Sequence, residues 1–565
     1  MQMRQPAWDL IARYLKHIGT EVVFGIPSDD LGLLRALRHH AVRMIITKDQ
    51  RNAVFMAAGY GVIGKRLGVC AAGKGPALTN TITGLLEAAS LAAPVLLIGV
   101  GTGRDNVGIH AFQEADQIAL VKPVVKWAYR VESIQRLAWA LEKAVFLAIN
   151  DCPGPVYIEI PEDLREAVSP PPLGFARPSV LRTMPSPAEL DAALEMMTRA
   201  SQPLLLAGGG APGNPGGDRT IEKLAERLGA AVFVTASGRG AVDEGHALYG
   251  GVAGLYTAAA LRELWDQADL IVALGSRMEE TATLLMNTPA QARAVVQVNL
   301  RVDHFSHLYQ GLRLWGDCAA AGRYWLNGLG KGEQMARSDW ARRIGDAKRT
   351  ALRQRDEFFR GKAVSGPVRV ADILASLERT MPDSGILVQE NGLLDMWSYF
   401  HPYFSFRRGQ LSLTPSEQTS LGFGAAAAIG AKAATPDRTV VAFVGDGAFN
   451  IFRSDLVTAA DNNLPVTYII LNNGAFGWLE YQWGGSATDD SPFRFSTETH
   501  VSHDAIVRLE IAAADTIDDT LRSAYRHNAE GRTVLVDVAV ATLDVAPGVS
   551  DFYGESGTHP TGAVQ

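Results

Sequence analysis

Two short segments near the C-terminal end carry residues whose types and spacing could do chemistry. An apolar run from Val440 to Val444 ends on Gly445-Asp446-Gly447, and a second, Val466 to Leu471, ends on Asn472-Asn473. Such runs predict strands, and each delivers an oxygen-bearing side chain at its C-terminal end, where open α/β sheets bind ligands. Glycines on both sides of Asp446 let the backbone approach a charged ligand closely. A carboxylate, an amide oxygen and a backbone carbonyl together suit Mg²⁺, which takes hard oxygen donors and keeps phosphate oxygens in its shell. Taken singly, Gly-Asp-Gly also reads as a turn and Asn-Asn as a helix cap.

The elements that must position these residues follow from the rest of the chain. Short β-rich apolar runs alternate with helix-length segments over most of the 565 residues, which predicts α/β architecture with doubly wound parallel sheets. A Pro-rich stretch from Pro161 to Pro187 and a charged helical stretch from Trp340 to Arg360, followed by Gly366-Pro367, divide the chain. The expected domains are 1–165, 187–340 and 365–545, with a Gly/Ser/Thr/Pro-rich tail or flap. A net charge of −7 with 20% charged residues argues against a nucleic-acid partner. Cys70, Cys152 and Cys318 form no metal-binding pattern and fit a reducing, cytoplasmic setting. The N-terminus runs into an amphipathic helix pattern rather than a signal peptide, and apolar runs such as Ala92 to Val100 are too short for a bilayer, so no membrane partner is expected.

Several separate segments resemble one family. They are Val23-Phe-Gly-Ile-Pro27, Met56-Ala-Ala-Gly-Tyr60, Gly75-Pro-Ala-Leu-Thr-Asn80, Ala111-Phe-Gln-Glu-Ala-Asp116, Gly154-Pro-Val-Tyr-Ile-Glu-Ile-Pro161, Gly422-Phe-Gly-Ala-Ala-Ala-Ala-Ile-Gly430 and the Gly445-Asp-Gly…Asn-Asn473 pair. Over about residues 5–545 the chain resembles the thiamine diphosphate (ThDP)-dependent decarboxylases and carboligases, acetolactate synthase and benzaldehyde lyase in particular. The resemblance implies a pyrimidine-binding domain, a central Rossmann-like domain and a diphosphate-binding domain. It implies Mg²⁺ ligands at Asp446, Asn473 and the Ala475 carbonyl, 27 residues separating the two side chains. Gly445, Gly447 and Ala448 would approach the diphosphate, with helix amides favouring its charge. Asn391 and Gly392 would form a second diphosphate loop, and Phe476 would lie beside the cofactor. Leu421 matches the bulky residue that props the cofactor's two rings into a bent shape, although a plain core leucine is the bland alternative.

The same resemblance exposes a departure. Ten residues before Tyr60 the family places a glutamate that hydrogen-bonds the pyrimidine ring and promotes the tautomer acting as internal base; here Asp49-Gln50 stands in place of His-Glu. An amide can hydrogen-bond the ring but cannot exchange a proton with it at neutral pH. Three readings follow: Gln50 holds the pyrimidine passively, Asp49 takes over after a register shift, or the chain binds ThDP with little turnover. Gln113 matches a substrate-facing glutamine of the carboligases, and His110 beside it could carry a proton near neutral pH. Ser28, Asp29, Asp30 and Lys74 lie on loops near the expected substrate, while Lys74 reads equally as a solvated lysine.

The implied activity is a carbon–carbon lyase or carboligase acting on a small 2-oxo acid, aldehyde or hydroxy ketone through an acyl-carbanion (enamine) intermediate. Simple decarboxylation to an aldehyde is the alternative. The family builds its active site between subunits, so a homodimer or homotetramer is implied. Gly208-Gly-Gly210 and Gly213 to Gly217 allow a nucleotide such as FAD or ADP in the central domain, but glycine loops after strands are common and the assignment is not favoured.

Overall fold

Long apolar runs with little alternation form strands buried on both faces, and the chain uses them to build three six-stranded sheets in which every pairing is parallel. A computed structural model describes residues 5–28, 31–165, 167–169, 174–211, 219–284, 294–329, 337–361, 368–483 and 491–553. Asp29, Asp30, Gly213 to Gly217, residues 484–490 and the end of the tail lie outside the described residues.

The first sheet is built from Val22–Gly25, Arg43–Ile46, Gly68–Ala72, Val95–Gly101, Trp127–Arg130 and Val156–Pro161. Numbered along the chain, these six lie side by side in the order second, first, third, fourth, sixth, fifth. The third sheet, from Ile386–Gln389, Leu411–Leu413, Val440–Gly445, Thr467–Asn472, Ile506–Ile511 and Thr533–Ala539, repeats that order. The central sheet, which begins with Pro203–Ala207, follows the order third, second, first, fourth, fifth, sixth of dinucleotide-binding folds. The α/β, doubly wound expectation is met in all three blocks. The charged stretch expected as a boundary is the helix Ser338–Arg360, whose Trp340 buries its ring and donates to the Pro203 carbonyl of the central sheet. Part of the expected tail is the helix Pro547–Tyr553.

The outer domains meet through two helices, Gln50–Gly64 and Phe423–Ala434. Every residue of the second is buried, and seven of its twelve are alanine. Phe55 packs edge-on against Phe423, Gly59 against Ala427 and Gly430 against the Met56–Tyr60 turn, so the helices run parallel. The backbones nearly touch: a Cβ on Gly59 would sit 2.3 Å from the Ala427 carbonyl oxygen, and one on Gly430 only 1.8 Å from that of Met56. Only glycine permits that approach.

Gly430→Ala should therefore force the helices apart and cost about 1–3 kcal/mol, as overpacking does. Gly174→Ala, where nothing lies within 4 Å, should leave the unfolding midpoint unchanged. Equal midpoints for the two variants in a denaturant titration would contradict this packing.

Candidate active site in two halves

The third sheet changes direction between its neighbouring strands Ile386–Gln389 and Val440–Gly445, and ligands of open α/β sheets bind in the crevice at such a switch point. Gly445 caps the helix Asp446–Phe452, which puts Asp446, Gly447 and Ala448 in its first turn. Asn473 follows the strand Thr467–Asn472. Asp446 Oδ2 accepts the Gly474 N–H at 2.8 Å, so the carboxylate and the Asn473–Ala475 loop share one spot. Asn473 donates Nδ2 to the Thr542 carbonyl at 3.0 Å, which turns its Oδ1 back toward its own loop. Ala475 is buried and bridged to Arg494.

Three carboxyl groups are buried around this crevice. Burial pushes Asp446 up to about 6 despite several backbone N–H bonds. Asp395 follows the Asn391-Gly392 loop; burial pushes it up to about 7, and its Oδ1 has no hydrogen-bond partner. Glu390 is raised well above the ordinary carboxylate range by burial and by Asp395, and its Oε2 accepts the Gly424 N–H at 2.8 Å, capping the helix Phe423–Ala434. Among the described residues no basic side chain forms an ion pair with any of the three, and none stands among the main causes of their shifts. Buried acids without a partner cation are costly. Hard oxygen donors in an acid-lined crevice with an unused carboxyl oxygen fit a divalent metal of the Mg²⁺ type.

The crevice is also tight. A Cβ on Gly392 would lie 2.6 Å from Asp395 Oδ2, and one on Gly447 3.1 Å from the Phe476 ring. Leu421, just before the left-handed Gly422, is 41% exposed. Phe476 and Leu479 stand open beside it.

The second half lies on the first sheet. Gln50 is the first residue of its helix, and its Oε1 accepts from Asn80 Nδ2 at 3.1 Å. Asp49 is the helix cap: its carboxylate accepts the Arg51 N–H at 2.7 Å. That use ties Asp49 to its own helix, which counts against the register-shift reading. Gln113 and His110 are exposed, and both have left-handed backbones, with φ of 56° and 58°. Such strain in two non-glycine residues needs an external hold. Glu114 supplies it, accepting the N–H groups of Gly108 and Ala111. Gly75 presses on the loop from below, a Cβ there lying 2.8 Å from the Gln113 oxygen, and the Gly75 N–H is held by Gln117 Oε1 at 2.7 Å. Gln117 in turn donates to Glu159, which pairs with Arg130. Lys74 is not a solvated lysine, since its ammonium pairs with Glu162 at 2.7 Å over the Phe112 ring.

The structure thus brings Asp446, Gly447, Ala448, Asn473, Ala475, Phe476, Asn391 and Gly392 around one crevice. Gln50 stands with Asn80, and Gln113 with His110, on the other half. The two domains are bonded beside these residues, Lys48 N–H and Asn52 Nδ2 donating to the Asp455 carboxylate at 2.7 and 2.8 Å and the Ser420 N–H to Glu87 at 2.9 Å. Val107, Ile109 and Phe112 are exposed on one, Leu421, Phe476 and Leu479 on the other. Asn80, Glu114, Glu390 and Asp395 were not singled out from sequence. Of these, Asn80 and Glu114 lie inside the quoted motifs, so a signal was present, whereas Asp395 matters only because folding buries it.

A separate cavity of about 640 Å³ opens at the switch point of the central sheet. Gly210, Gly275, Arg277 and His304 line it from the central domain, with Lys65 from the first domain and Arg182 from the linker.

Three family profiles match in chain order. They describe the thiamine pyrophosphate enzyme N-terminal TPP binding domain over residues 7–120, the central domain over 190–323 and the C-terminal TPP binding domain over 390–538. Among similar proteins, the acetolactate synthase isozyme 2 large subunit of Escherichia coli (strain K12) is 29% identical over 483 residues, 84% of each chain. The acetolactate synthase large subunit of Corynebacterium glutamicum is 27% identical, covering 84% of this chain and 75% of its own. The probable acetolactate synthase large subunit of Methanocaldococcus jannaschii is 26% identical, covering 84% and 81%.

The Glu114 hold predicts a pH dependence. Backbone N–H bonds from Gly108, then Ala111, lower its pKa below the ordinary glutamate value. A depressed carboxyl stabilises the fold above its unfolded-state pKa, and that contribution is lost as pH falls through the folded value. Protection of the 105–116 backbone against hydrogen exchange, referenced to the unstructured rate, should fall on acidification below about pH 4. Glu114→Gln should be less protected at neutral pH and insensitive to acid; an identical acid response in the variant would exclude this role.

Proposed function

Because the chain belongs to the thiamine pyrophosphate enzyme family, we propose that it is a ThDP- and Mg²⁺-dependent carbon–carbon lyase or carboligase. Its substrate would be a small 2-oxo acid or 2-hydroxy ketone, with an aldehyde or ketone as acceptor. The observation that carries the reading is the buried acid crevice at the switch point of the third sheet, where Asp446 is buried to 1% exposure beside Asn473 and Ala475. ThDP, when bound, supplies a thiazolium carbon that attacks a carbonyl and stores the electron pair released by bond cleavage.

The chain's own residues divide the remaining work. Asp446, Asn473 and the Ala475 carbonyl hold the metal. Gly445, Gly447 and Gly392 would admit the diphosphate without a Cβ in its path, and Ala448 and Asn391 would approach it with their backbone amides. Leu421 and Phe476 give the cofactor apolar walls. Asn80 occupies the Gln50 carbonyl oxygen, which leaves Gln50 Nε2 free to donate to a pyrimidine ring nitrogen. A donated N–H would hold that nitrogen as an acceptor and deliver no proton, so Gln50 would position the ring without giving it carboxyl assistance. Gln113 and His110, on their held loop, face the reacting substrate.

The two halves lie open with apolar residues at each, and this supports a site completed by a second copy of the chain, in a homodimer or homotetramer. Acetolactate synthase large subunits among the similar proteins favour carboligation of a 2-oxo acid over simple release of an aldehyde. No helix of the described residues is long and apolar enough to cross a membrane. The basic central cavity, with glycines at its floor, favours a nucleotide of the FAD or ADP kind there after all.

Reconstitution with ThDP and Mg²⁺ should give turnover of at least one 2-oxo acid, with a hydroxy ketone as product. Gln50→Glu should speed hydrogen exchange at the thiazolium carbon. An inactive wild type beside an active Gln50→Glu would identify a ThDP-binding paralogue instead. Asp446→Asn should weaken Mg²⁺-dependent ThDP binding at least about tenfold, since losing even outer-sphere partners of a metal costs that much. Protein purified and denatured should release a flavin or an adenine nucleotide; a nucleotide-free, fully active preparation would remove the central-cavity assignment.

A further inference from the structure

The Leu421 wedge is only as well placed as the loop that carries it, and that loop is held from another domain. Residues 414–422 connect the strand Leu411–Leu413 to the buried helix Phe423–Ala434. The loop makes few bonds of its own: Thr419 N–H to the Ser416 carbonyl, Gln418 N–H to Ser416 Oγ and Phe423 N–H to the Ser420 carbonyl. It turns through two left-handed residues, Thr419 at φ 46° and Gly422 at φ 87°. Thr419, a β-branched residue, strongly disfavours that region, so the surroundings must impose it.

We propose that Glu87 is the positioning residue that fixes this loop and thereby sets the height of Leu421 in the cofactor site. Glu87 lies on the helix Ile82–Ser90 of the first domain and is fully buried. One of its oxygens accepts the Ser416 N–H at 2.6 Å and the other the Ser420 N–H at 2.9 Å. The two bonds bracket the left-handed Thr419 and end one residue before Leu421. No basic side chain pairs with Glu87 among the described residues, so these two backbone donors are what its buried side chain is there to meet. The central domain adds a second hold, where Thr281 donates to Glu417. Three domains therefore converge on one loop, and the first contributes the grip nearest the wedge. Leu421 is 41% exposed, so its own packing fixes it only in part.

This inference rests on the proposed ThDP site, but its first test does not. Glu87→Gln keeps the size of the side chain while replacing one acceptor by a donor that opposes an N–H. In the full-length protein without cofactor, hydrogen exchange at the Ser416 and Ser420 amides should quicken about tenfold or more, while the 440–447 segment stays unchanged. With ThDP and Mg²⁺, the variant should bind the cofactor within about threefold of wild type, because Asp446 and Asn473 are untouched, yet exchange the thiazolium proton about tenfold more slowly. Glu87→Asp, with both acceptors but a shorter reach, should fall between. Unchanged amide exchange overturns the clamp. Faster amide exchange with unchanged thiazolium exchange overturns its link to Leu421. A wild type that binds no ThDP defeats the cofactor reading while the amide result still judges the clamp. Should Glu87→Gln not fold, the wild type decides: Ser416 and Ser420 amides exchanging as freely as an exposed loop would overturn the proposal.

Discussion

The close contact of two helices, Gln50–Gly64 and Phe423–Ala434, is the constraint on which the rest of the molecule depends. Gly59 and Gly430 let the two backbones meet, and the alanine-rich second helix leaves no side chain to keep them apart. Both helices begin at functional positions. Gln50 opens the first, and Leu421-Gly422 immediately precedes the second. Fixing the helix pair therefore fixes where the pyrimidine side and the wedge of each chain can stand. Apolar burial alone would allow the pair to slide. Interlocked glycines and the edge-on Phe55–Phe423 contact set one register.

Charge divides the site unevenly. The half proposed for the diphosphate concentrates Glu390, Asp395 and Asp446 in a buried crevice where, among the described residues, no ion pair offsets them, and a cation would complete its electrostatics. In the half proposed for the pyrimidine the equivalent group is an amide, and among the described residues Lys74 is matched with Glu162 and Arg130 with Glu159. On the proposed reading, the chain would anchor its cofactor through the acid crevice and leave activation to desolvation and ring geometry more than to proton relay.

Much of this was legible in the sequence because it is carried by local pattern. Runs such as Val440 to Val444 and Thr467 to Leu471 are buried throughout, so strand and position are both readable from apolar content, and the Gly-Asp-Gly and Asn-Asn ends follow directly. The matching strand orders of the outer domains were visible only as a shared alternation of elements. Long-range partnerships were not legible. Nothing local links Lys74 to Glu162, or Glu87 to amides 329 and 333 residues away, whereas the Asp49 cap acts on Arg51 two residues on and is a local signal. Asp395 reads as an ordinary turn residue until folding buries it under the Gly445 backbone.

These long-range contacts share a logic that explains why the catalytic departure at Gln50 is tolerated structurally. Three of these holds come from buried side chains elsewhere in the chain: the Gln113 loop, through Gly75, by Gln117; the Leu421 loop by Glu87; the helix behind it by Glu390; Glu114 holds the Gln113 loop from within. None of these holds passes through the Gln50 side chain, whose one described hydrogen bond is to Asn80. Replacing a carboxyl by an amide at that position alters the chemistry offered to the cofactor while leaving the scaffold intact. On the proposed reading, the amide at position 50 therefore bears on how the cofactor would be activated and not on the fold.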